Sequence, residues 1–114
     1  MNVGHYAFGR IDIAGAVYTS DVIIYPERVQ AHWWRKQGHS LCMEDLEEIL
    51  RDPPRVLLIG TGYHGMMQVP PATLEALRAR GIEARVMKTG EAVAELNRLQ
   101  REAARIVAAL HLTC

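Results

Sequence analysis

The sequence predicts a three-layer α/β domain built on a central mixed sheet. Three observations carry that expectation. Val56-Leu57-Leu58-Ile59 is an unbroken apolar run closed by a glycine. Segments of helical period follow it, opening at Pro70-Pro71 and at Thr89. Short β-branched stretches, among them Ile11, Ile13 and Val22-Ile23-Ile24, crowd the first part of the chain. An apolar run without alternation belongs to a strand covered on both faces, as in a parallel sheet between helices. With 114 residues, 49% hydrophobic and 23% charged, the chain reads as a single domain over residues 1–114. A chain of this length buries roughly two-thirds of its unfolded surface and needs no metal or disulfide to fold.

The elements follow in order. Tyr6 to Ala14 alternates loosely, and Gly15 precedes Ala16-Val17-Tyr18. This reads as a hairpin region of two short strands joined by a turn at Ala14-Gly15. Asp21 to Tyr25 is a strand that Pro26 stops. Val29 to Trp34 reads as another short strand, with His32 and Arg35 on its polar side and Gly38 breaking the run. Ser40 has the chemistry of an N-cap for a helix carrying Leu41, Leu46, Ile49 and Leu50, which Asp52-Pro53-Pro54 ends. Val56 to Ile59 is the buried strand. Pro70-Pro71 opens a second helix, striped by Leu74 and Leu77 and stopped at Gly81. Ile82 to Met87 is expected as a second inner strand. Thr89 caps a third helix carrying Val93, Leu96 and Leu99. Ala103 to Leu112 stays open on periodicity alone: it fits a prolonged third helix or a buried strand.

Charge and cysteine usage narrow the function classes. Thirteen Lys and Arg balance thirteen Asp and Glu, and the pI is near 7.0. A basic footprint for nucleic acid or for an anionic membrane is missing. No apolar run approaches the roughly 20 residues of a membrane helix, and the N-terminus lacks a signal-peptide pattern. Cys42 and Cys114 have no metal-ligand spacing, so the expectation is a cytoplasmic protein with two free thiols.

Gly60-Thr61-Gly62-Tyr63-His64-Gly65 has the form G-x-G-x-x-G after a strand. The next helix opens only at Pro71, and Lys88 stands where a dinucleotide site wants an acid, so that reading is set aside. Two readings remain: a tight turn exploiting glycine's positive φ, or a nest of backbone N–H groups that binds a small anion with help from Arg35 or Lys88. No acidic residue lies between Ile59 and Thr73 to repel one. Trp33-Trp34-Arg35 holds both tryptophans of the chain. Neighbours on a strand face opposite ways, so one ring is expected in the core and the other outside, an aromatic anchor beside a guanidinium. Met66 follows the glycine loop as a flexible lip to a pocket or a partner surface. His39, His64 and His111 have no local spacing of a zinc site. No catalytic group, metal or cofactor is expected.

Five segments in one order carry a resemblance over nearly the whole chain. They are Asp21 to Pro26, Trp33-Trp34-Arg35, Gly38-His39, Leu58-Ile59-Gly60-Thr61-Gly62, and Ala108-Ala109-Leu110-His111-Leu112-Thr113-Cys114. Together they resemble a small α/β family of largely unassigned function. That family includes the adipogenesis-associated Mth-type domain protein and a mitochondrial assembly factor of respiratory complex I. The residues already read as a β-α-β-α unit after the hairpin region; the resemblance implies a three-layer domain with a central mixed sheet and a final strand antiparallel to its inner neighbours, which turns the tail toward strand. That family has no established enzymatic activity or catalytic residues to carry over. The expectation is therefore a non-enzymatic binding or assembly-accessory domain. It would meet a protein partner through Trp33, Trp34 and Met66. The alternative is a small-ligand or anion-binding enzyme or cofactor carrier, with its pocket at Gly60 to Gly65 and Arg35.

Overall fold

In the computed structural model, which describes residues 1–102 and 104–114, the chain forms two sheets and three helices. A small antiparallel sheet holds β1 (Val3–Ala7), β2 (Arg10–Ile13) and β3 (Ala16–Tyr18). The main sheet holds β4 (Val22–Ile24), β5 (Val29–Gln30), β6 (Val56–Gly60), β7 (Glu83–Met87) and β8 (Ile106–Leu110) in the order β5-β4-β8-β6-β7. The helices are α1 (Glu47–Arg51), α2 (Pro71–Ala79) and α3 (Thr89–Leu99).

The tail is a strand, and it lies in the centre of the sheet. β8 pairs antiparallel with β4 but parallel with β6, so the expected antiparallel order holds on one side only and its two neighbours run in opposite senses. Periodicity fails here because every residue from Ile106 to Leu110 is buried. A strand covered on both faces shows no alternation. Ala103, where the ambiguous run begins, lies outside the described residues.

Alternation returns in the packing. Val56, Leu58, Ile106, Ala108 and Leu110 face one core, with Leu96 and Leu99 of α3 and Ile11 and Ile13 of the small sheet. Leu57, Ile59, Val107 and Ala109 face the other, with Leu46, Ile49 and Leu77. The small sheet and α3 thus form one outer layer, and α1 and α2 form the other.

Four expectations are corrected. Tyr6 to Ala14 is not one strand: Gly9, at φ 73°, turns the chain between β1 and β2, which makes three strands of two. Val29 to Trp34 is strand only at Val29–Gln30, because His32 takes a positive φ of 55° and breaks the ladder. The first helix begins not at Ser40 but with a 3-10 turn over Met43–Leu46, and the Asp45 carboxylate accepts the Cys42 N–H at 3.0 Å. β7 is an edge strand, since β8 takes the inner place beside β6.

Candidate functional site

The pairing of Val22 with Leu110 brings Asp21, just before β4, against His111, just after β8. This is the carboxyl edge of the parallel strands, where open α/β sheets form their clefts. Asp21 collects the donors there. Its Oδ1 accepts the Leu112 N–H at 2.8 Å, and its Oδ2 accepts from Arg35 Nη2 at 2.7 Å and lies 2.8 Å from His111 Nδ1. Burial pushes the Asp21 carboxyl up, but hydrogen bonds from His111, Leu112 and Arg35 outweigh it and hold the group below its ordinary value.

Arg35 is held from several sides. Its Nε donates to the Gly38 carbonyl at 3.0 Å, and its guanidinium lies 4.8 Å over the Trp33 ring. The side chains of Arg35 and His111 are only 5% and 7% exposed. Arg35 Nη2 also comes within 3.0 Å of His111 Nδ1. A guanidinium only donates and a carboxylate only accepts. Nδ1 thus lies between an acceptor, Asp21 Oδ2, and a donor, Arg35 Nη2; the tautomer with its proton on Nδ1 satisfies Asp21 and leaves Nε2 as an acceptor. Arg35 Nη1 and His111 Nε2, both buried, have no hydrogen-bond partner. Arg35 and His111 border a cleft of about 360 Å³, as do Trp34, Ser20 and Thr113.

The two tryptophans part as expected, though not on a strand. The Trp33 N–H donates to the Asp21 carbonyl at 2.9 Å and its indole Nε1 donates to the Asp45 carbonyl at 2.9 Å, so the ring is buried. Trp33 is thereby removed as a contact residue. Trp34 is 80% exposed and stacks loosely on His32, with ring centroids 6.5 Å apart.

The glycine loop is a turn in which the amides of Thr61, Gly62, Tyr63, Gly65 and Met66 are occupied. Thr61 N–H donates to the Met87 carbonyl at 2.9 Å and Gly62 N–H to Thr89 Oγ1 at 2.8 Å. Tyr63 and Met66 donate to the Thr113 and Cys114 carbonyls at 3.1 and 3.0 Å, and Gly65 donates to Gly62 at 3.3 Å. These groups do not converge on an anion. Thr89 does not cap α3 either: it stands inside the helix, and its hydroxyl bridges the Gly62 N–H and the His111 carbonyl. At Gly60, a Cβ would press on Leu110 and Thr89 at 2.8 Å, so β6 ends in glycine for close packing.

What the loop exposes is aromatic. Tyr63 is 49% and Met66 59% exposed, and Phe8, from the β1–β2 turn, is 52% exposed. The Tyr63 ring lies 5.9 Å from Phe8 and 5.0 Å from His64, both near edge-on, and 6.1 Å from Tyr6. Of the three histidines weighed together, His39 and His111 meet, with rings 5.8 Å apart, while His64 joins the Phe8 cluster. The sequence reading missed Asp21 and Phe8. Asp21 stood in plain view as the polar residue opening an apolar strand.

A family model described as protein of unknown function (DUF498/DUF598) matches residues 3–111. The chain belongs to this family. It is similar to a conserved hypothetical protein from Pyrococcus horikoshii, at 30% identity over the whole of both chains and a TM-score of 0.84. It is also similar to a Bartonella henselae protein described as an outer membrane protein, at 26% identity over 98% of this chain and 94% of that one, with a TM-score of 0.82. The fold is shared with a Bordetella pertussis protein described as a Mth938-like domain, at 24% identity over 97% and 85% of the chains, with a TM-score of 0.70. Among the described residues, no helix is long and apolar enough to cross a membrane.

Proposed function

We propose that the domain is a non-enzymatic binding or assembly-accessory module that docks a protein partner at the carboxyl edge of β6 and β8. The observation that carries this reading is the grouping of Phe8, Tyr63 and Met66, three large apolar side chains about half exposed, around the glycine loop. Trp34 stands across the cleft that Thr113 borders. Exposed aromatic rings with two rotatable angles are economical anchors for an interface. The rim favours an acidic partner segment. No acid lies between Ile59 and Thr73, and Lys88 packs beside Gly65. The resemblance to the family of the adipogenesis-associated Mth-type domain protein and the complex I assembly factor supports the same reading. We also place the protein in the cytoplasm, a setting that suits its two unpaired cysteines.

The test is a photo-crosslinking residue placed at Tyr63 and, as control, at Val86, which is 41% exposed on the far edge strand. In the native host, position 63 should capture one discrete protein, and Phe8→Ser should abolish the product. Identical products from both positions, or none from position 63, would refute the docking face.

A further inference from the structure

Arg35 and His111 both border the cleft beside Trp34, and each buries a side-chain nitrogen without a hydrogen-bond partner, Nη1 and Nε2. We propose that this cleft is a binding site for a small carboxylate carried on an apolar or aromatic body, and that binding adds a proton to His111. The inference does not rest on the partner-docking face: its polar groups, Arg35 and His111, are no part of the Phe8 patch, and only Trp34 is shared.

The argument starts from hydrogen-bond arithmetic. Nη1 is a donor without an acceptor. Nε2 of the neutral ring is an acceptor without a donor, since Nδ1 serves Asp21. A carboxylate approaching both satisfies Arg35 with one oxygen and sets the other against the Nε2 lone pair. One proton taken from solvent onto Nε2 turns that repulsion into a second charge-assisted bond. The charges then close. Asp21 and the ligand are each negative, and Arg35 and His111 are each positive.

Asp21 is placed to make this protonation easy. Its Oδ2 faces His111 Nδ1 at 2.8 Å, the arrangement by which a buried carboxylate orients an imidazole and stabilises its cation. The titratable and charged groups facing His111 are Asp21 ahead of β4, and Arg35 and His39 from the segment after β5. The body of the ligand follows from the walls. Trp33 and Trp34 both border the cleft, and Trp34 offers an exposed ring to stack on.

Benzoate, benzamide and inorganic phosphate make the test. Each is titrated into the intact protein and followed by amide and indole resonances, with calorimetry in two buffers of different ionisation enthalpy. Benzoate should give saturable shifts at Trp34, Arg35 and His111, with measurable proton uptake. Benzamide has the same shape without the charge. It should bind at least about tenfold more weakly and take up no proton. His111→Gln, which keeps a donor but cannot titrate, should retain benzoate binding and lose the proton uptake. Equal binding of benzamide and benzoate, or benzoate binding without proton uptake, would overturn the proposal. So would shifts that follow phosphate as closely as benzoate, or none that saturate. The wild-type arms decide the matter even where a variant fails to fold.

Discussion

Gly62 is pressed against Thr113. Its φ is +111°, and a Cβ there would lie inside contact distance of the Thr113 carbonyl oxygen and of the Cys114 backbone. Gly62→Ala therefore adds backbone strain to a clash that no side-chain rotation relieves. We expect a loss of about 2–4 kcal/mol in denaturant unfolding. Gly4→Ala is the control, since nothing lies within 4 Å of its Cβ position. It should be neutral or slightly stabilising, within about 1 kcal/mol. Equal effects at the two sites would remove the tight approach from the account.

Asp21 should make the fold acid-sensitive. Its carboxyl is held below its ordinary value of 3.8, so the folded state favours the ionised form. The stability this contributes is complete above the unfolded value and is lost as pH falls through the lower folded one. Asp21→Asn strands the buried Arg35 charge and should cost about 3 kcal/mol at neutral pH. That gap should narrow only below about pH 4, where the wild type begins to protonate as well. A gap unchanged down to the acid transition would show that Asp21 does not act as a carboxylate.

Tyr6 behaves in the opposite sense. Burial pushes its phenol up to about 12, and its O–H donates to the Leu112 carbonyl at 2.8 Å. The neutral phenol is the favoured folded form. Its contribution is full below the unfolded value of 10.0 and is lost as pH rises through about 12. In an ultraviolet phenol titration, Tyr6→Phe should remove a component near pH 12. The same variant should cost about 1–2 kcal/mol through the orphaned carbonyl.

The last strand should be indispensable. β8 pairs with β4 on one side and β6 on the other, and each of its residues is buried. A chain ending at Arg105 lacks both ladders and should show no cooperative thermal transition. Retention of the full-length midpoint would contradict its central place.

The apolar run Val56 to Ile59 and the proline and glycine punctuation of α2 were legible because they are local: periodicity, a missing donor and a permitted φ act within a few residues. Trp33 and Trp34 were also read correctly as one ring in and one ring out, although a positive φ at His32 separates them instead of strand alternation. The anion nest at Gly60 to Gly65 was a fair reading of glycines after a strand. The loop's donors turn instead to Met87, Thr89, Thr113 and Cys114, and each of those partners lies more than twenty positions away in the chain.

The sequence by itself determined the layered α/β class, the buried strand β6, the helices α2 and α3, and the absence of a basic footprint, because composition and short-range pattern carry them. Tertiary structure alone decided that β8 takes the central place, that β7 is left at the edge, and that Asp21, Arg35 and His111 meet. Strand order and the meeting of residues 90 positions apart depend on which surfaces bury each other, and no local pattern records that choice.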